Sequence, residues 1–248
     1  MTRARLLLAL LLALGMGVLA GPALAQSLTF DMGEAGGSTT GRIVQMVALI
    51  TVLSLAPSIL IMMTAFTRIV IVLSFLRQAL GIQQVPPNTV LVSLAMFLTF
   101  FIMAPVLERS YNQGIDPLIK EEISEAEAFN RTLLPFREFM LRHTAEKDLK
   151  LFADMARIET IAEPIATPMQ VLVPAFMISE IKRAFEIGFL LFLPFLIIDM
   201  VVSSILMSMG MMMLPPTMVA IPFKIIFFVL VDGWYLIAGS LARSFGTL

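Results

Sequence analysis

The sequence predicts an all-α integral membrane protein made of helical hairpins, with about four hydrophobic spans and a charged helical insert between them. Three observations carry this reading. The chain of 248 residues is 58% hydrophobic and 14% charged, more apolar and less charged than a soluble domain. Long charge-free runs recur in both halves, while Asp, Glu, Lys and Arg crowd between Glu108 and Arg183. Within that crowded middle, stretches such as EFMLRHTAEKDLKLFADMARIE repeat their apolar residues at helical spacing.

Taken in order, residues 1–25 place Arg3 and Arg5 before an apolar run that closes on Ala23-Leu24-Ala25. This is the pattern of a cleaved signal peptide, with the cut between Ala25 and Gln26. Residues 26–42, rich in Gly, Ser and Thr, read as a flexible linker. Residues 43–107 hold two spans: Ile43–Thr67 and Gln78–Leu107 carry no charge, and each exceeds the roughly 20 apolar residues that cross a bilayer. Residues 108–183 form the insert. Residues 184–248 read as a helical hairpin, interrupted by Asp199 and Lys224.

The tip of that hairpin is residues 207–216, with five methionines between Met207 and Met213, then Leu214, Pro215 and Pro216. Gly210 and the prolines mark a turn. Methionine fills irregular space and re-packs readily. Once residues 1–25 are removed, the first span enters from outside. The Arg68 and Arg77 loop, free of acidic residues, then faces the cytoplasm, as the positive-inside rule asks. The insert lies in the periplasm, and the methionine tip returns to the cytoplasmic side of the inner membrane. An uncleaved first helix would invert this order.

The inventory argues against catalysis. There is one histidine, His143, and no cysteine, so neither a metal set nor a thiolate nucleophile is expected. Glu121, Glu122, Glu125 and Glu127 read as an exposed acidic helix start. The phosphate-binding, serine-hydrolase and zinc-protease motifs are absent from the sequence. With a net charge of −1, nothing points to nucleic acid. No enzyme activity, cofactor or metal is expected.

Ionisable residues inside apolar runs are costly and usually paired or aimed at a cavity. Lys224 in IPFKIIFF and Asp199 in FLIIDMVVSS are of this kind. Lys224 is expected to pair with Glu180 or Asp199, and less readily with Glu186, preferentially across a subunit boundary. The alternative is an ion or solute pathway. Ser204, Ser208 and Gly210 give a small-residue face for close helix packing.

The stretch VPAFMISEIKRAFEIGFLLFLPFLIIDMVVSSILMSMGMMMLPP closely resembles the signature region of the FliP family of flagellar export-gate proteins. MTAFTRIVIVLSFLRQALGIQQVPPN and VLVSLAMFLTFFIMAPV resemble that family's N-terminal half. The resemblance implies a ring of copies, five in the family, assembling with FliQ and FliR, and with FlhB and FlhA, into a helical multi-subunit gate at the flagellar basal body. That gate passes unfolded export substrates, without a catalytic site of its own. The resemblance further implies that Met209, Met211, Met212 and Met213 project into the channel as a gasket. Two other readings stay open: a small-solute or ion transporter subunit, and an assembly scaffold that does not line the path. Against a transporter, the two halves show no matching broken helices.

Overall fold

The computed structural model describes residues 39–246, apart from 83, 159–162 and 212. The signal-peptide cleavage site at Ala25 and Gln26, the linker up to residue 38 and Met212 lie outside the described residues. Every regular element among the described residues is helical. Contacts divide the chain into two units, Met1–Ile50 and Thr51–Leu248. In the first, the described residues belong to helix α1 (Thr39–Met62), and residues 43–50 are exposed.

In the second unit, α1 ends where Thr64 competes for the backbone. Its hydroxyl donates to the Ile61 carbonyl at 3.0 Å and accepts the Phe66 N–H at 3.4 Å, a local alternative to the helical ladder. The charge-free run Ile43–Thr67 is therefore not one helix. The chain restarts as α2 (Phe66–Ala79), which buries Arg68, Ile69, Val72, Leu73, Leu76 and Ala79. Helix α3 (Asn88–Ser110) passes through a π-turn at Tyr111–Ile115 into the short α4 (Asp116–Ile119).

The charged middle supplies α5 (Glu125–His143) and α6 (Glu146–Met155). Ser124 opens α5 by accepting the Glu127 N–H. Glu125 and Glu127 sit in its first turn, where carboxylates favour the helix dipole. Glu125 and Glu127 are thus a helix start, whereas Glu121 and Glu122 lie in the turn that follows α4. The apolar stripe of α5 is buried within the chain: Phe136, Phe139 and Met140 join a core with Leu172 and Phe176.

Helix α7 (Met169–Ser208) runs unbroken for 40 residues, through Pro174 and Pro194. The compositional border at 183/184 falls inside it. The α2 and α7 helices pack closely because Gly188 has no side chain: a Cβ there would lie 2.4 Å from the Phe75 ring. Helices α8 (Pro216–Leu230) and α9 (Gly233–Arg243) meet at a 64° bend, with Asp232 in the left-handed region at φ 51°.

Two described stretches are long and apolar enough to cross a membrane, Asn88–Ile119 and Met169–Ser208. The bent α8–α9 pair is a third candidate, and Ile43–Ile59 is a shorter apolar helix. In the two long stretches, only 28% and 17% of the most apolar window is buried within the chain. These helices therefore keep apolar faces turned outward, as a membrane or an assembly requires.

Candidate functional site

The methionine turn begins as a helix ending. At the end of α7, Gly210 adopts φ +72°, the left-handed conformation that only glycine takes freely. Its N–H donates to the Met207 carbonyl at 3.1 Å, and the Met211 N–H reaches the Leu206 carbonyl at 3.0 Å. These paired bonds satisfy carbonyls that a helix end leaves open. The turn then runs into Pro215 and Pro216, and Pro216 is the first residue of α8, where proline's missing N–H is harmless. Its backbone is fixed at both ends while its side chains stand clear: Met213 is 99% exposed and Met209 65%. Met211 is also exposed.

Below the turn, Lys224 braces three helices. From α8 its ammonium donates to Asp199 Oδ2 on α7 at 2.7 Å, and to the Ala79 carbonyl at 3.1 Å. Ala79 closes α2, where the helix dipole favours a cation. Lys224 is buried and Asp199 about one-third exposed. Asp199 Oδ1 is buried without a hydrogen-bond partner among the described residues. A cavity of about 570 Å³ adjoins the pair, lined by Arg77, Thr217 and Met218 among others.

Glu180 is committed elsewhere. Its two carboxylate oxygens receive Arg68 Nη2 and Arg68 Nε, the latter at 2.8 Å. Arg68 Nη1 donates to the Ser244 carbonyl at 3.1 Å and the Ser244 hydroxyl at 2.9 Å. The Phe245 ring lies 3.7 Å from the guanidinium. Both charged side chains are essentially excluded from solvent, at 2% and 0% exposure. The next residue back, Ser179, accepts the Ala145 N–H at 2.9 Å and donates to Asp148 Oδ2 at 2.7 Å.

Of the expected partners for Lys224, the chain supplies Asp199; Glu180 belongs to Arg68, and Glu186 faces Lys182 and Arg183. Arg68, read from sequence as a loop cation, is a core residue, because α2 starts before it and turns it toward α7. Ser204, Ser208 and Gly210 are exposed, and nothing in the chain lies within 4 Å of the position a Gly210 Cβ would take. Gly210 serves the turn's conformation rather than packing within this chain. His143 is half-buried and takes the structural part: Nδ1 sits 2.8 Å from the Phe139 carbonyl, and its ring lies against Phe245. Burial, and then the Arg68 and Arg142 cations, hold its imidazole below the ordinary value.

Arg68, Ala79 and Ser179 were missed as site residues. A signal existed for Arg68, a lone cation between two charge-free apolar stretches. None existed for a backbone carbonyl such as that of Ala79.

This set of helices matches known proteins over nearly its whole extent. The FliP family model covers residues 49–241, from α1 through the methionine turn to α9. The chain belongs to the FliP family. Among its relatives, the flagellar biosynthetic protein FliP of Caulobacter vibrioides is 55% identical over 96% of this chain and 90% of its own length. That of Rhizobium meliloti is 52% identical over 94% and 96%, and that of Bacillus subtilis 56% over 82% and 91%. The family match includes Arg68, Glu180, Asp199 and Lys224 along with the turn, and leaves Ser244 and Phe245 just beyond its end.

Proposed function

We propose that the chain is the pore-forming subunit of the flagellar type III export gate, needed to export rod, hook and filament proteins and so to build the flagellum. In this reading, copies form a ring with FliQ and FliR, beside FlhB and FlhA, in the inner membrane at the basal body, with the insert in the periplasm. The observation that carries the reading is the methionine turn: a fixed backbone presents exposed thioether side chains between two apolar helices. A channel that excludes ions yet admits chains of any sequence needs a soft apolar collar. Methionines from several copies supply one, and a hydrophobic constriction can close by dewetting. The relatives' shared name, flagellar biosynthetic protein, supports the same reading.

The remaining residues take consistent parts. Lys224 and Asp199 hold the helix that carries the turn. The free Oδ1 of Asp199 offers an acceptor to a neighbouring subunit, and the exposed small face of Ser204 and Ser208 offers a packing surface.

The test is triple substitution of Met211, Met212 and Met213. With alanine, the assembled complex leaks ions and small solutes. With leucine, which keeps apolar volume, it stays closed and exports more slowly. Dye uptake reads the leak, and secreted hook protein or flagellin reads export. An alanine variant that co-purifies with FliQ and FliR but neither leaks nor changes export would reduce the methionines to packing and leave the scaffold reading.

A further inference from the structure

Away from the methionine turn, α5, α6 and α7 enclose a polar cavity of about 240 Å³. Its cationic lining is Arg68, Arg142, Lys182 and Arg183, with His143 beside them, and its acidic lining is Asp148 and Glu186. Each acidic group has a partner, although the neutral Ser179 hydroxyl leaves the charge of Asp148 in place. Asp148 accepts from Ser179, and Arg68 is spent on Glu180 and Ser244. Lys182 and Arg183 share the single carboxylate of Glu186, at 3.7 and 3.3 Å. Arg142 has no carboxylate within ion-pair distance among the described residues. With Glu180 counted beside its partner Arg68, four cations face three carboxylates, an excess of one positive charge, and of the cations Arg142, Lys182 and Arg183 are exposed.

The cavity also lies at a chemical border. Beyond Glu186, α7 carries no charge until Asp199. Lys182, Glu186, Phe189 and Leu193 follow at four-, three- and four-residue steps, which set them on one helix face. Phe189 and Leu190 are more than 60% exposed. Cations that lead into an exposed apolar strip match a ligand with an anionic head and hydrocarbon tails. Basic residues at such a border are attracted to anionic lipid.

We propose that this cavity binds the phosphate group of an anionic phospholipid, whose acyl chains lie along the Phe189, Leu190 and Leu193 strip of α7. Arg142 and Lys182 contact the phosphate directly, with Arg183 at the rim. A free phosphate would use the same cations but leave the strip uncovered. The lipid would fix α5 and α6 to α7 at the membrane border, independently of whether the methionines seal a pore. The inference rests on α7 being in contact with lipid.

The chain's single histidine reports on the site, because an added anion offsets the Arg68 and Arg142 cations and raises the His143 titration point. Full-length protein with isotope-labelled histidine is reconstituted into vesicles of phosphatidylcholine, with or without phosphatidylglycerol. Phosphatidylglycerol raises the His143 titration point and is retained after exchange into detergent. Arg142→Gln and Lys182→Gln each weaken that retention about fivefold, the factor for one cation near an anionic surface. Lys147→Gln, outside the cavity, leaves it unchanged. Insertion into both vesicles without phosphatidylglycerol preference, equal losses for Lys147→Gln, or an equal His143 shift with inorganic phosphate alone would each overturn the proposal. Failure to insert into either vesicle would instead overturn the membrane reading of α7.

Discussion

Glu180 and Arg68 are excluded from water, so each depends on the other for the interactions that water would otherwise supply. Removing one partner of a buried pair leaves an uncompensated charge, which costs about 3 to 5 kcal/mol, whereas replacing both with apolar groups is often neutral. Glu180→Ala is therefore expected to lower the unfolding midpoint of the detergent-solubilised protein sharply. Arg68→Met combined with Glu180→Leu should recover most of that loss. A single variant as stable as the parent would mean that the pair contributes little. His143 gives the pH-dependent counterpart. Its folded-state titration point lies below 6.5 because burial and the Arg68 and Arg142 cations oppose protonation. The unfolded chain consequently binds the proton first as pH falls. The contribution of His143 is complete above about 6.5 and is lost as pH drops through the interval down to the folded value. The parent should lose more stability between about pH 7.5 and 5.5 than His143→Gln; equal losses would remove His143 from the account.

At the level of elements, α7 is gripped by two consecutive residues, with Ser179 holding the start of α6 and Glu180 holding α2. The Ser179 hydroxyl contributes about 1 kcal/mol. Ser179→Ala should therefore speed amide hydrogen exchange at the first turn of α6 roughly fivefold, at that free-energy cost, with little change in α2. Uniform acceleration along both helices would show that the hydroxyl acts on the whole fold instead. Two helix ends were legible beforehand: Gly210 with Pro215 and Pro216 marked the turn, and the carboxylates of Glu125 and Glu127 marked a helix start. The continuity of α7 was not, because the shift from charged to apolar composition at 183/184 records a change of surroundings, not of backbone. The pairing of charges was also hidden. Arg68 meets residues 112 and 176 positions away, and periodicity along a helix carries no information on which helix it faces. Lys224 was recognisable as a residue needing a partner, and choosing Asp199 over Glu180 required the fold.

Across the whole molecule, α7 alone sets a length problem. Forty residues extend about 60 Å, roughly twice the hydrocarbon thickness of a bilayer. A helix of that length, charged between Glu180 and Glu186, extends beyond the hydrocarbon layer at one end or lies strongly tilted within an assembly. The proposed orientation puts α5 and α6 in the periplasm. The chain has no cysteine, so Glu125→Cys or Lys147→Cys gives a single reactive site. A membrane-impermeant thiol reagent should label either variant in spheroplasts before lysis. Labelling only after lysis would reverse the orientation.

The clamp of Ser244 and Phe245 on Arg68 also has a temporal side. Translation delivers Ser244 176 residues after Arg68, so over that interval the guanidinium lacks its full set of partners. Glu180 reaches it first, and the carbonyl and hydroxyl of Ser244 and the ring of Phe245 arrive together afterwards. The buried place of Arg68 is therefore assembled in two steps of chain growth, the carboxylate of Glu180 first and the Ser244 cap after it.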